Sequence, residues 1–113
     1  MNHLIFEATG QNFEANVLQS ALPVLIEFTA DWCPPCKMLA PIINAIAIKY
    51  DGNLRVGLLD SDANQDIVQQ YGVMGLPTTI LFVDGVPVER IVGFTSQERI
   101  EAKILPHLAI ENA

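Results

Sequence analysis

The chain has 113 residues, half of them hydrophobic, and carries six Lys plus Arg against thirteen Asp plus Glu, a formal charge of -7. That length suits one domain, residues 1–113, burying about two-thirds of the surface its unfolded chain exposes. The acidic balance argues against nucleic acid or an anionic membrane as main partner, and two cysteines cannot make a disulfide scaffold. Apolar runs broken by Pro23, Glu27 or Asp84 are too short to span a bilayer. Residues 1–10 include Glu7 and no basic stretch ahead of an apolar one, so no secretory leader and a cytoplasmic location are expected.

Residues 4–6 suit an edge strand, and Asn12 is placed to cap a helix carrying Phe13, Val17 and Leu18 at helical spacing. Residues 23–29 are nearly continuous apolar, the pattern of a parallel strand covered on both faces. A helix over 36–50 follows from Leu39, Ile42, Ile43 and Ile46, with a kink expected at Pro41. Residues 54–59 read as a second buried strand, and 64–71 as a short helix that Gly72 ends. Strands at 78–83 and 88–92 flank Asp84-Gly85, a strong hairpin signal, and Ser96 starts the last helix. The order βαβαβαββα predicts an α/β fold: a mixed central sheet of about five strands flanked by about four helices.

The strong chemical signal is Trp32-Cys33-Pro34-Pro35-Cys36-Lys37, set between a buried strand and a helix. Cysteines three apart in a first helical turn lie about 5–6 Å from each other, within the Cα separation a disulfide tolerates. Free N–H groups and partial positive charge at a helix N-terminus stabilise a thiolate, so Cys33 at the mouth of the turn is expected to be the exposed nucleophile. Cys36, inside the helix, is expected to be the buried resolving thiol. Other readings stand beside this one. A structural disulfide closing so small a loop stabilises little, and two inert buried thiols are conceivable. Zinc needs four ligands, and the other soft candidates are His3 and His107, read as exposed surface histidines near the chain ends. A cluster bridging two chains stays open.

Trp32-Cys33, Pro35-Cys36-Lys37 and Pro41 resemble the active-site segment of thioredoxins. The resemblance continues through Phe28, Ala30-Asp31, Asp62, Tyr71-Gly72-Val73, Gly75-Leu76-Pro77-Thr78, Phe82, Asp84-Gly85 and Val92-Gly93. It implies a thioredoxin fold and dithiol–disulfide exchange: Cys33 attacks a substrate disulfide and Cys36 resolves the mixed disulfide. It also implies a cis peptide before Pro77, and an apolar substrate groove at Trp32, Pro34, Pro35, Gly75, Leu76, Pro77, Val92 and Gly93. The partners implied are disulfide-containing proteins and an upstream thioredoxin-reductase-type electron donor; no bound cofactor or metal is implied, and a monomer is expected.

The chain departs from the pattern at several places. Glu27 stands where typical thioredoxins carry a buried aspartate, and Leu58 where its lysine partner would be. A carboxyl in an apolar strand has its pKa raised by desolvation, so Glu27 is expected to be largely neutral and to serve as proton acceptor for Cys36. The alternative is a Glu reaching solvent from a strand edge. Pro34 replaces the usual glycine, so neither residue between the cysteines has an N–H to offer Cys33, and the helix is expected to start at Pro35. Pro-Pro at this place also resembles tryparedoxin-like and nucleoredoxin-like relatives. Thr29 replaces a second tryptophan, and Met74 a polar residue beside the groove, where packing and substrate contact are both open roles. The reading reached is a thioredoxin-like protein disulfide reductase; its rival is a thioredoxin-fold binding or chaperone module using the Trp32–Pro77 groove without redox turnover.

Overall fold

The computed structural model describes residues 3–109. Five strands form one sheet in the order β1-β3-β2-β4-β5: β1 Ile5–Ala8, β2 Val24–Thr29, β3 Arg55–Asp60, β4 Thr78–Val83 and β5 Val86–Val92. β1, β3 and β2 are parallel, and β4 runs antiparallel to both β2 and β5, which makes the sheet mixed as expected. The helices are α1 Pro34–Lys49, α2 Gln65–Gln70 and α3 Gln97–Ile104; a π-helical segment, Glu14–Leu18, precedes them and a 3₁₀ turn, Leu105–His107, continues α3.

Side chains alternate between the two faces of each strand, so two cores form. On one face Leu25, Val56 and Leu81 pack against Leu39, Ile43 and Ile46 of α1 and Ile100 and Ile104 of α3. On the other, Ile26, Phe28, Leu59, Ile80 and Phe82 pack against Phe13 and Val17 of the π segment and Ile67 of α2. Phe13, Tyr71 and Phe82 meet there with ring centroids 5.2–5.6 Å apart, within the range favoured by aromatic pairs.

The β4–β5 hairpin turns at Asp84 and Gly85, with φ of 51° and 78°. Positive φ at both central residues is what a two-residue hairpin turn of matching twist requires. Gly85 is needed for a second reason: a Cβ there would lie 2.8 Å from the Leu18 carbonyl oxygen. β5 begins two residues before its expected start and includes Pro87, which an edge strand beside a register shift at Leu81/Phe82 accommodates. Ser96 caps α3 as read from the sequence, accepting a hydrogen bond from the Arg99 N–H at 3.2 Å.

Three expectations are corrected. Asn12 does not cap a helix with its side chain: its Oδ1 accepts from Thr9 N–H at 2.8 Å and its Nδ2 donates to the Glu7 carbonyl at 2.8 Å. The residue is used to close the turn behind it, and Phe13 occupies the cap position without a side-chain bond. α1 starts at Pro34, earlier than expected, because the first helical positions need no N–H partner and proline's fixed φ suits them. The helix continues through Pro41. His107 is not a free surface histidine: it is half-buried, with Nε2 2.8 Å from Glu89 Oε2.

Candidate functional site

β2 ends at Thr29 and the chain enters α1 five residues later, which sets the cysteine pair at the helix mouth. Cys33 is the N-cap of α1, and its sulfur accepts from the Cys36 N–H at 3.3 Å. Cys33 and Cys36 are joined as a disulfide with Cα atoms 5.3 Å apart, inside the separation that such a bond tolerates. Both cysteines are 2% exposed, so the expectation of an exposed Cys33 is not met in this oxidised state. The bonded sulfurs pack with Ala30, and Leu76 lies against them. Pro34 and Pro35 form the exposed first turn.

The Leu76–Pro77 peptide bond is cis, in agreement with the resemblance. The Gly93 N–H donates to the Pro77 carbonyl at 2.7 Å, and Val92 pairs with Thr78, which brings the end of β5 beside that loop. Thr78 Oγ1 donates to the Gly75 carbonyl at 2.6 Å and braces the same loop. Trp32 is 65% exposed, yet its Nε1–H donates to Asp62 Oδ2 at 2.7 Å, which fixes the indole over a cleft of about 260 Å³. Gly75 and Leu76 line that cleft with Ser61, Gln65, Gln69 and Met74. Met74 is 98% exposed and therefore contributes nothing to packing, which leaves it free at the rim.

Glu27 lies in the central strand with Leu58 beside it on β3 and Thr79 on β4. It is 1% exposed, and its Oε2 has no hydrogen-bond partner, which removes the alternative of a side chain reaching solvent. Burial pushes its carboxyl up from 4.5 to about 7. The shift has the direction that burial in an apolar strand predicts. Glu27 shares a sheet face with Leu25, two residues before it, and that face is the one α1 covers. Cys36 opens the buried stripe of α1, followed by Leu39, Ile43 and Ile46. α1 links the parallel strands β2 and β3, so it runs antiparallel to them and its first turn lies toward the end of β2 that leads into the cysteine loop.

The structure thus brings Trp32, Cys33, Cys36, Gly75, Leu76, Pro77, Val92 and Gly93 to one end of the sheet. The sequence reading gave no role to Ser61, Gln65, Gln69 and Thr79. Thr79 had a visible signal, a hydroxyl within an apolar run; the cleft residues on α2 had none. Among the described residues no three of His, Cys, Asp and Glu gather where they could hold a metal ion.

A five-stranded mixed sheet with a Cys-x-x-Cys disulfide at a helix N-terminus, facing a cis-proline loop, defines a thioredoxin-fold redox protein. The family model for thioredoxin matches residues 4–105. A thioredoxin of Pseudomonas aeruginosa is 42% identical over 102 residues, 90% of this chain and 94% of that protein. A thioredoxin of Staphylococcus saprophyticus is 41% identical over 104 residues, 92% of this chain and 98% of that protein. A bifunctional thioredoxin reductase/thioredoxin of Mycobacterium leprae is 47% identical over 87 residues, 77% of this chain and 19% of that protein. The chain belongs to the thioredoxin family and is a protein disulfide oxidoreductase.

Proposed function

We propose that the chain reduces disulfides of other proteins, with Cys33 as the attacking thiolate, Cys36 as the resolving thiol and Glu27 as its proton acceptor. The observation that carries this reading is the Cys33–Cys36 disulfide at the start of α1, packed against Leu76 of the cis-proline loop. In the first step the Cys33 thiolate attacks one sulfur of a substrate disulfide. That S–S bond breaks, and the other substrate sulfur leaves as a thiolate. In the second, the Cys36 proton passes to the Glu27 carboxylate and the Cys36 thiolate attacks the Cys33 sulfur. The mixed disulfide breaks, the second substrate sulfur leaves, and the Cys33–Cys36 bond forms. Two electrons have moved from the dithiol to the substrate.

Trp32, Pro34, Pro35, Gly75, Leu76, Pro77, Val92 and Gly93 form the surface that receives the substrate chain in this reading. Electrons reach the disulfide from a separate thioredoxin-reductase-type donor; the relative fused to such a reductase supports this assignment. The chain works as a single domain and as a monomer in the cytoplasm. Among the described residues no helix is long and apolar enough to cross a membrane.

The test is insulin reduction by dithiothreitol. The protein accelerates it, Cys33→Ser abolishes the acceleration, and Cys36→Ser accumulates mixed disulfides with protein substrates. Target binding that survives Cys33→Ser, with no acceleration by the intact protein, would instead establish a binding module.

A further inference from the structure

A single row of residues crosses all five strands in register: Glu7, Leu58, Glu27, Thr79 and Ile91. Register partners point to the same face of a sheet, here the face under α1. Among the described residues three buried side-chain oxygens lack a hydrogen-bond partner, and two of them, Glu27 Oε2 and Thr79 Oγ1, are neighbours in this row. Directly opposed residues of an antiparallel pair have Cβ atoms about 4.5–5.5 Å apart, so a hydroxyl and a carboxyl there are within reach of one another. On its other side Glu27 meets Leu58, which offers no hydrogen bond. The preceding residue, Thr78, shows the contrast: its hydroxyl is spent on the Gly75 carbonyl.

Resting on the reading of Glu27 as proton acceptor, we propose that Thr79 is its positioning residue: the Thr79 O–H turns to donate to the Glu27 carboxylate and holds it ready for the Cys36 proton. Two adjacent polar groups left unpartnered in an apolar core carry a desolvation cost in one state. They are explained if the bond between them forms in the other. When Glu27 is protonated the hydroxyl turns away; when Glu27 ionises, the hydroxyl supplies the donor that Leu58 cannot. Proton uptake by Glu27 breaks the Thr79 bond and leaves the carboxylic acid and the Cys36 thiolate.

The charges nearest this row are carboxylates: Asp60, two residues beyond Leu58 on the same face of β3, and Asp31 line a cavity together with Leu58 and Glu7. Glu7 lies at the sheet edge, two strands away and exposed. The buried stripe of α1 holds Cys36, Leu39, Ile43, Ile46 and Ala47, and that of α3 holds Ile100 and Ile104, so Cys36 is their sole titratable member. Lys37 is exposed on α1, and Lys49 pairs with Glu101 near the other end of that helix. β5 contributes Ile91.

The experiment follows the Glu27 carboxyl by carbon NMR across pH in the oxidised protein, and insulin reduction across the same range. Wild type, Thr79→Val, Thr79→Ser and Glu27→Gln are compared. Thr79→Val raises the Glu27 midpoint by about one pH unit, the scale of a hydrogen bond to a charged group, and slows reduction about tenfold below that midpoint. Thr79→Ser stays near wild type. Below the Glu27 midpoint, where the hydroxyl has no partner, urea denaturation finds Thr79→Val at least as stable as wild type, because valine keeps the shape and removes that hydroxyl; above the midpoint Thr79→Val is the less stable of the two. A purely structural threonine would not gain stability while losing activity at low pH. Coincident carboxyl midpoints for Thr79→Val and wild type would overturn the proposal while leaving Glu27 in its role. An unchanged pH profile in Glu27→Gln would remove the proton acceptor itself, and Thr79 with it.

Discussion

Replacing Glu27 by Gln removes a carboxyl that burial holds far above its ordinary range, and the consequence is a change in how folding depends on pH. The folded protein keeps the Glu27 proton up to about pH 7, whereas the unfolded chain loses it near 4.5. Between those values the folded state binds more protons than the unfolded one. Stability is therefore full below 4.5 and falls as pH rises through about 7. The displacement corresponds to about 3 kcal/mol in all, most of it lost between pH 5 and pH 8. The group is almost wholly buried, so solvent screening takes little from this figure. With the disulfide closed the cysteines do not titrate, and every other group cancels when wild type and Glu27→Gln are compared at the same pH. Urea denaturation of both oxidised proteins at pH 5, 6, 7 and 8 measures the difference. Glu27→Gln gains on wild type steadily up the series. A difference that stays flat within about 0.5 kcal/mol would refute the burial argument.

Trp32→Phe removes the donor to Asp62 from an exposed ring; stability changes by less than about 0.5 kcal/mol, while the KM for insulin rises severalfold at an unchanged turnover rate. An unchanged KM would take Trp32 out of the substrate surface. Gly85→Ala sets a Cβ 2.8 Å from the Leu18 carbonyl oxygen at a φ of +78°. It lowers stability by about 2 kcal/mol, read from thermal unfolding, and a loss below about 0.5 kcal/mol would mean that the turn relaxes freely.

What the sequence made legible was local. The apolar run before Thr29, the Asp84-Gly85 turn and the Ser96 cap depend on a few neighbouring residues, and all three appear in the structure. The cysteine motif was legible for the same reason, since three residues of helix fix its geometry. Asn12 was misread because two local uses compete for one side chain, and the turn behind it won over the helix ahead. The hydrogen bond of Trp32 to Asp62 and the pairing of Glu27 with Thr79 needed the strand order and register. Nothing near Glu27 in the chain announces either neighbour. Its burial was expected from the apolar strand around it, but its company was not.

β2 is the middle strand of the sheet, paired along its length on both sides, and it runs directly into the redox loop. Central strands open only near the global free energy of unfolding, while edges and termini open far more easily. Amide exchange should therefore be slowest in β2, and the excursions that release β1, β5 or the end of α3 leave the cysteine pair in place. The catalytic loop is tethered to the most durable part of the molecule. A protease that nicks a frayed edge will thus meet a protein whose reactive sulfurs still hold their spacing.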